Sequence, residues 1–169
     1  MNDMSESLWN DAVSPASYAD TSGAYQTAVF EQYKLCVEMA DRVSARRNLA
    51  NTFFLSLNSA VVAVVAAVLQ EPRGQVSIWL LLPGLVILVS MCGAWYVLVR
   101  SYRQLNGAKF AVIGAMEERL PAFAYSRAEW KALGEGKDWK RYLPLTHAEQ
   151  WVPVVFALAY FAGFIALVS

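Results

Sequence analysis

Few residues in this chain have the chemistry of a nucleophile, base or ligand, and they stand far apart. His147 is the single histidine of 169 residues, and a metal site needs several ligands drawn together. It lies in the first turn after Thr146, where it reads as a surface histidine or as a pH sensor at a membrane edge. The two cysteines, Cys36 and Cys92, have neither CxxC spacing nor a disulfide framework around them. Cys36 has no evident base to activate it, so both read as packing residues. No serine occupies a GxSxG turn, and no glycine-rich phosphate loop precedes a helix. The expectation is a protein that is not an enzyme, with no catalytic residue, no metal site and no cofactor.

The other polar groups with something to do lie in apolar surroundings. Hydrophobic residues make up 57% of the chain and charged residues 17%. Three segments carry no charge at all: Thr52 to Leu69, Val76 to Val99 and Trp151 to Val168. Each comes close to the roughly 20 residues that cross a 30 Å hydrocarbon core. A chain this small has no other material in which to bury three such helices. Spans are therefore expected at 52–69, 76–99 and 151–168. With no ionisable group inside them, they offer no relay for protons or ions across the bilayer. A pore built by several copies is a different matter, and Ser56, Asn58 and Ser59 are the residues that would line it. Asn58 has a second use, since an amide in hydrocarbon seeks a partner on another helix.

Lys and Arg set the orientation. Lys34, Arg42, Arg46 and Arg47 precede the first span, and nine basic residues lie between Arg100 and Arg141. The short link 70–75 holds only Arg73, offset by Glu71. The positive-inside rule then places the N-terminus and 100–150 in the cytoplasm and Ser169 outside. Arg46, Arg47, Arg100 and Arg103 are expected beside lipid headgroups, with Trp95 and Trp151 as interfacial aromatics. The net charge of zero leaves no basic face for a nucleic-acid partner.

The elements that position these residues are long helices. From Ala24 to Glu71 there is neither glycine nor proline, so one helix of about 70 Å is expected to run from cytoplasm into membrane. In its soluble half Val29, Tyr33, Cys36, Ala40 and Val43 share a face, opposite Glu31, Lys34, Glu38 and Arg42. A heptad seam follows the whole element through Phe30, Val37, Ser44, Asn51, Asn58 and Val65, joined by Tyr33, Ala40, Arg47, Phe54 and Val61. Two readings stay open for it, packing on the chain's own spans or a contact between subunits. The second span, kinked at Pro83-Gly84, is expected to continue past Val99 as a cytoplasmic helix. Gly107, Ala111 and Ala115 form a small-residue row on that helix, open to close approach. Ser126 with Glu129, and Thr146 with Glu149, have the spacing of capping boxes, and Gly134 can end the short helix between them. Residues 1–23, lacking Lys, Arg and any apolar run, read as a mobile cytoplasmic tail rather than a secretory signal. The fold class is all-α: a single helical membrane domain over 24–169, its first two spans extended into long cytoplasmic helices at 24–51 and 100–150.

Three blocks of this sequence, YKLCVEMADRVSARRNLANTFFLSLN from Tyr33, SYRQLNGAKFAVIGAMEERLP from Ser101 and EWKALGEGKDWKRYLPLTHAEQWVP from Glu129, resemble the RipA-like octameric membrane proteins. The resemblance implies a small bacterial inner-membrane protein that assembles as a homo-oligomer of about eight copies, and it implies no catalytic residues. It favours the subunit-contact reading of the seam. Three functions are compatible with these features: a ring with a scaffolding or envelope-stress-adaptation role, a pore or channel, and a membrane effector or sensor responding to a cytoplasmic protein partner. Membrane lipids are partners in all three.

Overall fold

The computed structural model describes residues 7–18, 23–69, 78–137 and 145–168. Among the described residues every regular element is helical, and no strand occurs. Three helices dominate: α1 (Ala24–Leu69), α2 (Ile78–Glu117) and α3 (Leu145–Val168).

Gly23 starts α1. Its φ of +77° turns the chain into the helix, and its carbonyl accepts both the amide and the hydroxyl of Thr27. With no proline to remove a donor, the backbone ladder then runs unbroken to Leu69, as the sequence predicts. The expected end at Glu71 lies outside the described residues. Glu31–Lys34 and Glu38–Arg42 close as ion pairs of 2.6 Å on the exposed face, and such pairs contribute a few tenths of a kcal/mol each. Val29, Ala40 and Val43 of the opposite face are buried.

α2 passes through Pro83-Gly84 without a break. Pro83 lies near the start of the helix, where it forfeits a single i→i−4 bond. α2 continues as expected well beyond the apolar stretch and ends at Glu117, ahead of Pro121. The chain then makes a π-helical turn, Ala124–Glu129, and a last turn, Trp130–Ala132. Gly134, at φ +72°, ends it as anticipated.

Two local expectations are corrected. Ser126 does not cap the turn that follows it, because its hydroxyl and amide both go to Glu117. The row Gly107–Ala111–Ala115 does not receive a helix at its glycine, where a Cβ would meet nothing within 4 Å. The close approach falls instead at Gly114, where a Cβ would stand 3.2 Å from Cβ of Ser126. The N-terminal segment also departs from a featureless tail. It forms a 3₁₀ turn at Pro15–Tyr18. Trp9 lies under the Arg119 guanidinium at 3.6 Å, and Tyr18 meets Tyr25 edge-on at 5.6 Å. Residues 1–6 and 19–22 of the expected tail lie outside the described residues.

The chain divides into two compact units, Met1–Ala45 with Gln104–Pro144, and Arg46–Arg103 with Leu145–Ser169. The second holds most of the apolar helix. Each of the three helices has an apolar window long enough to cross a membrane, and only 6%, 17% and 6% of those windows is buried within the chain. Most of that apolar surface must therefore face lipid or another protein.

Candidate functional site

In the apolar unit, polar side chains converge on one face of α1. Residues 47, 51, 54 and 58 recur at helical spacing, so they form a single stripe. Asn58, with 0% of its surface exposed, sits at the centre. Its Nδ2 donates to the Phe54 carbonyl at 2.8 Å, and its Oδ1 accepts from the Tyr160 hydroxyl of α3 at 2.8 Å. The Cys92 thiol of α2 also points at Oδ1, at 3.6 Å. One amide thus joins three helices. Two turns back, Oδ1 of Asn51 accepts from the Trp95 indole at 2.9 Å. Phe54 stacks on Trp95 with centroids 5.7 Å apart and planes at 9°. The aromatic series continues through Phe156 to Tyr160. At the end of the stripe Arg47 faces Glu149 at 3.4 Å, and Arg103 donates to Gln150 at 3.0 Å. The Arg47–Glu149 pair is held by charge rather than by a hydrogen bond, since neither Nε nor Oε2 has a bonded partner.

The polar unit has its own centre, Glu117, with 0% of its surface exposed. Oε1 accepts from the Tyr33 hydroxyl at 3.1 Å and from the Tyr125 amide at 2.8 Å. Oε2 accepts from the Ser126 amide at 2.9 Å and from the Ser126 hydroxyl. As the last residue of α2, Glu117 occupies the negative end of that helix's dipole. The first-turn amides of the next helical segment compensate, because they are orphan donors at a positive end. Burial pushes the carboxyl up, but the Ser126 hydroxyl, the two amides and the Tyr33 hydroxyl outweigh it and leave it below the usual range. Tyr33, part-buried and bonded to that carboxylate, is pushed up to about 12 and so remains a donor. A potential base is here fully engaged by donors from its own chain.

The seam residues divide accordingly. Val37, Ala40, Val61 and the stripe residues Arg47, Asn51, Phe54 and Asn58 lie buried or half-buried, Tyr33 reaches Glu117, and Ser44 accepts from Asn106 at 3.3 Å. Phe30 and Val65 are 46% and 42% exposed. The structure thus uses most of the seam within the chain. Asn58 is enclosed and lines no open surface, whereas Ser56 and Ser59 are exposed. Trp95, expected at the headgroups, is only 2% exposed, because its indole nitrogen finds Asn51 and its ring finds Phe54 inside the unit. Trp151 is 67% exposed, and Arg46 and Arg100 are exposed, while Arg47 and Arg103 face α3. The His147 side chain lies outside the described residues.

Sequence reasoning missed Tyr160 and Glu117. Tyr160 was findable: it is a hydroxyl in the middle of an uncharged span, the natural counterpart of Asn58. Glu117 carries no such signal among the charges of its neighbours Glu118 and Arg119.

A family model described as the octameric membrane protein family (8xMP) matches residues 30–169. No curated protein and no solved structure matches the chain. The matched region begins beyond Trp9, Tyr18 and Tyr25, so the N-terminal segment lies outside it.

Proposed function

Because the chain belongs to the octameric membrane protein family, we propose that it acts as a ring-forming scaffold in the bacterial inner membrane and not as an enzyme. Membership makes it a membrane protein of a homo-oligomeric family, in keeping with its three apolar helices. The observation that carries the scaffold reading is the use made of its buried polar groups. Asn58 and Glu117, the two fully enclosed polar side chains among the described residues, bond to their own chain, which supports a role in holding shape. The basic residues flanking the spans support a cytoplasmic N-terminus and a cytoplasmic 100–150 segment. A role in envelope-stress adaptation belongs to the same proposal.

The test is complementation of a deletion strain under envelope stress. A His147→Ala, Cys36→Ala variant is expected to complement fully and to keep the native mass of the assembly. Loss of complementation at unchanged mass would overturn the non-enzymatic reading. A second reading, a conducting axis, draws on the exposed hydroxyls of Ser56 and Ser59. It requires current across a planar bilayer that changes in Ser56→Ala or Ser59→Ala.

A further inference from the structure

Outside the bonded stripe, the membrane half of α1 has two different surfaces. One carries bulky exposed side chains, including Phe53, Leu57 and Val64. The other carries Thr52, Ser56, Ser59, Ala63 and Ala66, all small, all exposed, at alternating spacings of four and three. The Thr52 hydroxyl bonds the Asn48 carbonyl at 3.0 Å, while Ser56 and Ser59 have no partner among the described residues. In hydrocarbon a hydroxyl gains from a neighbouring helix, and small side chains let that helix come close.

The same chain carries a surface of complementary size. On α3, Trp151, Val155, Leu158 and Ile165 are 67%, 61%, 63% and 65% exposed. They follow the same alternation, with Ala162 between the last two. Two contacts inside the unit mark depth: Arg47 meets Glu149 and Asn58 meets Tyr160, each pair 102 positions apart. α1 and α3 therefore run side by side in one register. Rotation about an axis normal to the bilayer leaves every residue's depth unchanged. Leu158 of a neighbouring copy then stands level with Ser56, and its Ile165 with Ala63.

We propose that the small face of α1 receives the Leu158–Ile165 ridge of α3 from the next copy. The occupant is a second copy because the family is octameric and because the small face of α1 and the ridge of α3 match in size and spacing. A ring closes only through such head-to-tail contacts between unlike faces. The proposal rests on the ring reading above.

The experiment is disulfide trapping in membranes, with Cys36→Ala and Cys92→Ala as background. Oxidation of Ser56→Cys, Leu158→Cys is expected to give a ladder of multimers reaching eight chains, and neither single variant is expected to give a disulfide-linked dimer. The mismatched pair Ser56→Cys, Ile165→Cys, about 10 Å out of register, gives none. No ladder, or only a cross-link within one chain, from an assembly of octameric mass overturns this contact and leaves the ring standing. A disulfide-linked dimer from either single variant overturns it in favour of like faces meeting. Reaction of Ser56→Cys with a membrane-impermeant thiol reagent overturns it in favour of a wet axis. If the unaltered protein is not an octamer by native mass spectrometry, the ring reading itself fails. As a check that keeps both native cysteines, Ser59→Leu is expected to cut the octameric fraction at least tenfold, while Phe53→Leu on the bulky face leaves it unchanged. Equal effects of the two overturn the assignment.

Discussion

Replacing Glu117 by glutamine is the most direct probe of the polar unit. Each carboxylate oxygen accepts two donors, and glutamine keeps only one oxygen. If its NH₂ faces Ser126, the hydroxyl can rotate to accept, but the Ser126 amide cannot. If it faces the other way, the Tyr125 amide is stranded instead. A buried unsatisfied donor costs about 1–3 kcal/mol, and the remaining bonds lose the assistance of a full charge. A total of about 3 kcal/mol corresponds to about a hundredfold rise in local opening of the 121–133 segment. Tryptic cleavage after Arg127 and Lys131 reads that opening when reclosing is fast relative to cutting. Ser126→Ala, which removes one donor from Oε2, should raise cleavage only about tenfold. The sign with pH follows from the lowered carboxyl. Its stabilisation is complete above the unfolded carboxylate range near about 4.3 and fades as pH falls through the folded value. Opening should therefore increase toward acid in the natural protein, and Glu117→Gln should lack that dependence. A rise of less than about fivefold in Glu117→Gln, or a larger effect from Ser126→Ala, would refute the assignment of Glu117 as the centre.

In the apolar unit, a double-mutant cycle of Asn58→Leu and Tyr160→Phe should give a coupling of about 0.6 kcal/mol, and no more than about 1.7, in detergent unfolding; zero coupling would mean that the Tyr160 hydroxyl does not serve Asn58. Trp95→Ala should destabilise by about 3–5 kcal/mol through the cavity it leaves. Trp95→Phe, which keeps the ring and loses the bond to Asn51, should cost about 1 kcal/mol; equal losses would show that packing is not what holds this position. Arg119→Ala removes both the cation over Trp9 and the bond to Tyr25 at 2.9 Å. Exchange of amides in residues 7–18 should then speed up about fivefold, for a loss of about 1 kcal/mol. The native mass should not change, since that segment precedes the family's matched region.

Helix content was legible because it depends on near neighbours. The absence of glycine and proline between Ala24 and Glu71 is a local fact, and α1 follows from it. Uncharged length is local too, so the three spans could be read directly. Partner choice is not local. The heptad through Asn51, Phe54 and Asn58 identified the right face of α1, but spacing on one helix cannot say whose helix it meets. Trp95 shows the same limit: an aromatic near a span end suits the interface, yet a part-buried acceptor at Asn51 captures its indole. Ser126 failed as a cap because a carboxylate nine residues upstream competes for the same hydroxyl and amide. The tail's composition was polar enough for disorder, yet Trp9 finds a guanidinium at Arg119, far beyond any sequence window.

The Asn58–Tyr160 bond also has a schedule. Its two residues lie 102 positions apart, and translation at roughly 5–20 residues per second separates their synthesis by about 5–20 s. α1 and Cys92 are made first, so the amide has its Phe54 carbonyl and a weak thiol donor while its best donor has not yet been synthesised. For those seconds a nascent chain carries an incompletely satisfied acceptor within an apolar span, where such a group is costly. Arrival of the third helix ends that exposure, which makes insertion of α3 the step that closes each copy's interior to rival helices.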